Sequence, residues 1–121
     1  MIALLAVAGG LGAIARFVLD GVIRGRLITV IPFGTMIINV SGSLLLGFVT
    51  GIVLFHAVPA DWQLVLGTGF LGGYTTFSTA SFETARLMQE RQFVAAIING
   101  LGMLVLALAA AAGGLALAWL V

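Results

Sequence analysis

The chain has 121 residues, of which 62% are hydrophobic and 7% charged, with a net charge of +1 and no cysteine. An ordinary soluble domain is about 25% charged, and a soluble chain this short has too much surface to cover with so few charges. The charge provides no basic patch for nucleic acid, and the lack of cysteine excludes a disulfide framework, a thiolate metal site and a thiol nucleophile. What remains is an all-α integral membrane protein.

A helix crossing the hydrocarbon needs about 20 apolar residues, and four stretches supply them, at about 2–19, 32–55, 62–82 and 92–121. Together they make one four-helix membrane domain over 1–121. The first stretch lacks a basic leader and an obvious cleavage site, so it reads as a retained helix rather than a signal peptide. Pro32 suits the first turn of the second. Short loops at Asp20 to Ile31, His56 to Asp61 and Glu83 to Arg91 make successive helices antiparallel and put both termini on one side. The lone histidine, His56, cannot build a zinc site, and with Trp62 it is expected at the outer interface.

Seventeen glycines, among them Gly9, Gly10, Gly12, Gly47, Gly51, Gly67, Gly69, Gly72 and Gly73, put small surfaces on three of the helices. Small residues let membrane helices approach closely. All five basic residues are arginines: Arg16, Arg24, Arg26, Arg86 and Arg91. Antiparallel helices place them at one face, which the positive-inside rule assigns to the cytoplasm, with the termini outside.

The polar chemistry is concentrated in the third stretch. A double glycine, Gly72–Gly73, is followed by hydroxyls at Thr75, Thr76, Ser78, Thr79 and Ser81. Glycine pairs weaken a helix, and hydroxyls can bond freed backbone groups. This predicts a helix broken near Gly72 to Thr76, with carbonyls able to hold a cation and hydroxyls able to donate to an anion. The competing reading is a kinked helix whose hydroxyls bond their own turn. On the second helix Thr35, Asn39 and Ser43 recur every four residues as a polar stripe, which either bonds helices together or lines a water-filled path. Apart from Arg16, no span holds an ionisable side chain at depth, which argues against proton-coupled transport. Neutral donors suit passive movement of a small, strongly hydrated anion. No nucleophile lies beside a base and the spans hold no carboxylate pair, so an enzyme is not expected.

Gly34–Thr35 with Asn39, the run Gly69-Phe-Leu-Gly-Gly-Tyr-Thr-Thr-Phe-Ser-Thr, Glu83, and the early Gly12–Ala13 with Arg16 resemble the Fluc (CrcB) fluoride channels over essentially the whole chain. The resemblance implies a dual-topology antiparallel dimer in the cell membrane, with two fluoride pores along the interface. It implies that Thr35, Asn39, Phe77, Ser78, Thr79 and Ser81 line the pore, with the positive ring edge of Phe77 toward fluoride. It further implies a structural sodium ion held by the carbonyls of Gly72 and Thr75, and Arg16 as an anchor of the helix end at the cytoplasmic surface or vestibule. Glu83 is expected at a helix end, bonded to Arg86 or to backbone, and Phe70 and Tyr74 between helices.

Three departures from the family pattern stand out. Ala80 replaces a second phenylalanine, and Phe82 lies about 200° further round the helix. On the fourth helix, Asn99 and Met103 stand where better-known members carry a tyrosine and a serine, and Asn99 remains a possible donor. The arginine bias sits poorly with a subunit that inserts equally both ways, so the second subunit is either an identical chain or a paralogue. The alternatives are a non-conducting structural subunit of such a heterodimer and a small multidrug exporter. The exporter needs a glutamate in the first helix, where residues 2–15 carry no acid.

Overall fold

The computed structural model describes residues 1–27 and 31–121; residues 28–30 of the expected first loop lie outside the described residues. Every described element is helical. In order they are α1 (Ile2–Arg26), α2 (Phe33–Phe55), α3 (Ala60–Trp62), a π-helical stretch (Gln63–Leu71), α4 (Gly72–Tyr74), α5 (Phe77–Gln89), α6 (Phe93–Ile97), a second π-helical stretch (Ile98–Gly102) and α7 (Met103–Leu120). Leu and Ala are the commonest residues of these segments and favour helix. The two prolines, Pro32 and Pro59, fall at the N-caps of α2 and α3, where no intrahelical N–H is needed.

Among the described residues three helices are long and apolar enough to cross a membrane: Ile2–Arg26, Phe33–Phe55 and Phe93–Leu120. Large apolar side chains stand exposed on them. Ile2, Phe17 and Leu120 are 85%, 80% and 78% exposed. Water would oppose such exposure and hydrocarbon would not.

Contacts between helices fix their directions. Going up α2, Asn39 meets Met103, Gly47 meets Ala111, Gly51 meets Ala118 and Phe55 meets Trp119, so α2 and α7 run parallel. Likewise Gly9, Gly12 and Arg16 of α1 meet Gly69, Phe70 and Gly73, so α1 runs parallel to the third segment. Between α1 and α2 the order reverses. Gly34 packs on Asp20 and Ile23, Thr35 bonds Arg24, and Ile38 shares a buried cluster with Ala15 and Leu19.

Glycine permits these approaches. A Cβ at Gly12 would land on the Phe70 carbonyl, and one at Gly114 on the Leu44 carbonyl, both rigid backbone. In lipid, where the hydrophobic drive between helices is missing, such contact is what holds a bundle together.

Parts of two expected loops are instead helix. The α1 helix continues past residue 19 to Arg26, which places Arg24 and Arg26 in its last turn. Asp20 and Arg24, four residues apart, form an ion pair at 2.9 Å that supports this extension. Similarly α5 continues through Glu83 to Gln89. It ends in a reversal in which Arg91 takes φ 59° and the N–H groups of Arg91 and Gln92 reach back to Met88 and Leu87. That is the hydrogen-bond pattern of a Schellman cap.

Candidate functional site

The third segment leaves helical geometry at two residues. Thr75 has φ −80°, ψ 158° and Thr76 has φ −145°, ψ 120°, between α4 and α5. Upstream, the Thr75 N–H and hydroxyl both donate to the Leu71 carbonyl at 2.9 Å. Downstream, the Thr76 hydroxyl caps α5 by accepting the Thr79 N–H at 3.2 Å.

Extended backbone between helices must find partners outside the helical ladder, and Asn39 supplies two. Its Oδ1 accepts the Thr76 N–H at 2.8 Å, and its Nδ2 donates to the Thr76 carbonyl at 2.8 Å. The same Nδ2 lies 3.1 Å from Met103 Sδ. Because the Thr76 N–H goes to Asn39, the Gly72 carbonyl loses the amide that would continue its turn. The Thr75 carbonyl likewise loses its helical partner, because the Thr79 N–H goes to the Thr76 hydroxyl. The Gly73 carbonyl accepts from Arg16 Nε at 3.3 Å. Arg16 therefore sits well inside α1, tied to the third segment, rather than at a helix end as expected.

An open cavity of about 790 Å³ faces this region. Asn39, Ser43, Gly72, Thr75, Phe77, Ser81, Asn99 and Met103 are among its lining residues. Phe77 is 87% exposed. Phe82 is not among the lining residues.

Of the other expected pore residues, Ser78 and Thr79 lie off the cavity wall, Ser78 exposed and Thr79 half-buried. Thr35 is buried elsewhere. Its hydroxyl donates to Glu83 Oε1 at 2.5 Å, and Arg24 binds Glu83 Oε2 at 2.9 Å. Glu83 is thus buried in mid-helix against Arg24 and Thr35, not at a helix end bonded to Arg86. Arg86 instead lies 3.9 Å from Glu90.

Asn99 is fully buried. Its Nδ2 donates to Thr84 Oγ1 at 2.9 Å, while its Oδ1 has no partner among the described residues. Ala80 is buried with Met36 and Met103. Phe70 and Tyr74 stack with ring centroids 6.3 Å apart, and the Tyr74 hydroxyl lies 3.0 Å from Ser41.

Several of these links were missed from the sequence. The Asp20–Arg24 spacing was the available signal that α1 continues and carries Arg24 toward Glu83. No sequence signal points to the Met103–Asn39 contact, since methionine on an apolar helix reads as packing.

The class defined by this architecture is a multi-pass helical membrane protein with an uncharged, donor-lined cavity beside extended backbone. Residues 3–115 match the family described as CrcB-like protein, Camphor Resistance (CrcB). The chain is 59% identical over 110 residues to the fluoride-specific ion channel FluC 1 of Leifsonia xyli subsp. xyli, covering 91% of this chain and 80% of that one. It is 47% identical over 103 residues to FluC 2 of Mycobacterium tuberculosis, covering 85% and 79%. With the FluC of Pyrococcus abyssi identity is 40% over 97 residues, covering 79% and 77%. The chain belongs to the CrcB family.

Proposed function

We propose that this protein is one subunit of a fluoride-selective channel through which cytoplasmic fluoride leaves the cell passively. The observation that carries this reading is Asn39, a neutral amide on the cavity wall, fixed by two bonds to the extended backbone at Thr76. Fluoride gives up tightly held water only to groups that donate hydrogen bonds in its place. Asn39, Ser81 and Asn99 provide such donors without a fixed charge, and the exposed ring of Phe77 presents a positive edge. Thr35, Ser78 and Thr79 lie off this wall and are not needed for the reading. None of these groups is arranged as a nucleophile with a base, which suits transport rather than catalysis.

In this reading the chain is a single domain of four spans. The third crosses the membrane from Ala60 to Gln89 and is broken at Thr75–Thr76, a view supported by the extended dihedrals there. The cavity is open and its wall is mostly apolar. A second subunit, inserted in the opposite direction, would cover it and complete the pores. Backbone oxygens suit a hard cation, and the Gly72 and Thr75 carbonyls, released from the helical ladder, are the groups that would hold a structural sodium ion. The arginine-bearing helix ends would face the cytoplasm.

Purified protein in potassium-loaded liposomes tests the function directly. Fluoride efflux with no chloride efflux is the expected result, and it should vanish in Asn39→Ala and Phe77→Ala. A second reading rests on Ala80, where the absent ring leaves Met36 and Met103 packed together. There the chain is silent alone and completes a paralogue's pores. Flux appearing only on co-reconstitution with that paralogue would establish it.

A further inference from the structure

We infer that Met103 is the resident ligand of the Asn39 amide, which a permeating anion must displace, and that it thereby sets the concentration at which the pore fills. The inference rests on the fluoride reading above. An asparagine amide has two N–H hydrogens and one carbonyl oxygen. The oxygen of Asn39 is taken by the Thr76 N–H, and one hydrogen is taken by the Thr76 carbonyl. Reversing the amide would set its NH₂ against an N–H and its oxygen against a carbonyl, so both bonds fix its orientation.

A single proton is left, and it points to Met103 Sδ, 3.1 Å from the nitrogen. Both residues line the cavity. An anion arriving at Asn39 therefore competes with the thioether for that proton. Thioether sulfur is a weak acceptor on a side chain with three rotatable bonds. It can satisfy the half-buried N–H when the pore is empty and still yield to a strong acceptor such as fluoride. The small side chain of Ala80, which shares a buried cluster with Met103, leaves the sulfur room to sit there. A weaker acceptor than fluoride, such as chloride with its more diffuse charge, gains less from the exchange. The contact would thus favour the more basic halide as well as tune occupancy.

Two substitutions move the competition in opposite directions. Met103→Leu keeps volume and removes the acceptor, while Met103→Gln offers a carbonyl of similar reach that holds the proton more tightly. In liposome flux, the fluoride concentration giving half-maximal rate should fall about three- to tenfold in Met103→Leu, the worth of one net hydrogen bond. It should rise in Met103→Gln. A packing role alone would change thermal stability in both variants and leave this concentration where it was.

A measurement on the unaltered protein guards against misfolded variants. In detergent, fluoride titration should move the Asn39 side-chain amide and the Met103 ε-methyl resonances together, at one midpoint, and chloride should not. A methyl signal that stays still while the amide shifts overturns the inference. So does a half-maximal concentration that is the same in all three proteins. If the protein neither passes fluoride nor shifts its amide, the fluoride reading fails. The Asn39 proton frequency in Met103→Leu then still decides whether the sulfur held it: an unchanged frequency overturns the bond.

Discussion

The side chain of Asn39 holds both backbone groups of Thr76, accepting its N–H and donating to its carbonyl at 2.8 Å each. No helix can serve those groups, because the two residues before α5 are extended. Asn39→Ala would strand a donor and an acceptor in a half-buried site. It should lower stability by about 2–4 kcal/mol, since each unsatisfied buried group costs about 1–3 kcal/mol. Equilibrium unfolding in mixed micelles measures this. A variant as stable as the parent would show that the clamp does not hold the segment. Asn39→Asp keeps the acceptor, loses the donor and adds a charge, so it should do no better.

Neighbouring glycines on α7 offer a paired comparison. A Cβ at Gly114 would collide with the Leu44 carbonyl and come within 2.7 Å of the Phe48 nitrogen, whereas one at Gly113 meets nothing within 4 Å. Backbone cannot move aside as a flexible side chain can. Gly114→Ala should therefore destabilise by about 1–3 kcal/mol, the usual cost of overpacking. Gly113→Ala should be neutral or gain up to about 1 kcal/mol from helix propensity. Denaturation midpoints of the two variants should fall on opposite sides of the parent, or at least differ by this amount.

Glu83 joins three elements, with Thr35 on one oxygen and Arg24 on the other. Its side chain is only 4% exposed, but that of Arg24 is 44% exposed. Solvent therefore screens part of the ion pair, and Arg24 keeps Asp20 as a second partner. For Glu83→Gln a loss of about 1–3 kcal/mol is expected, below the value for a wholly buried pair. In a double-mutant cycle with Thr35→Val, the coupling should exceed about 0.5 kcal/mol. Additive losses would mean that Thr35 and Glu83 act separately.

How much of this was readable beforehand differs from residue to residue. Hydropathy alone marks α1, α2 and the final helix, because a run of apolar residues needs no partner to be recognised. The Gly72–Gly73 pair and the hydroxyls after it point to the place where Thr75 and Thr76 become extended. Apolar length as the criterion ends α1 and α5 too early, since Arg24, Arg26, Glu83 and Arg86 then read as loop charges. Their helical state rests on pairs across space, such as Arg24 with Glu83, which no local pattern contains. Thr35 and Asn39 share one stripe, yet one is buried against a carboxylate and the other lines the cavity. The identity of the facing helix decides between those fates, and that is a tertiary fact.

Insertion direction is the remaining consequence of the arginine placement. Arg24 is tied to Asp20 and Glu83, and Arg16 to the Gly73 carbonyl, so removing either would disturb packing as well as charge. Arg26 and Arg91 are exposed and form no salt bridge among the described residues. They are the residues at which charge can be changed alone. With all five arginines present, a reporter fused to the C-terminus should be found outside the cell, because lysine and arginine near span ends set orientation. Arg26→Gln combined with Arg91→Asn, the latter suited to a left-handed backbone, should shift a measurable fraction of molecules to the opposite orientation. Stability should stay within about 0.5 kcal/mol of the parent, as expected for surface sites. If the parent already inserts equally in both directions, the charge bias does not decide orientation, and the chain can supply both halves of an antiparallel dimer by itself.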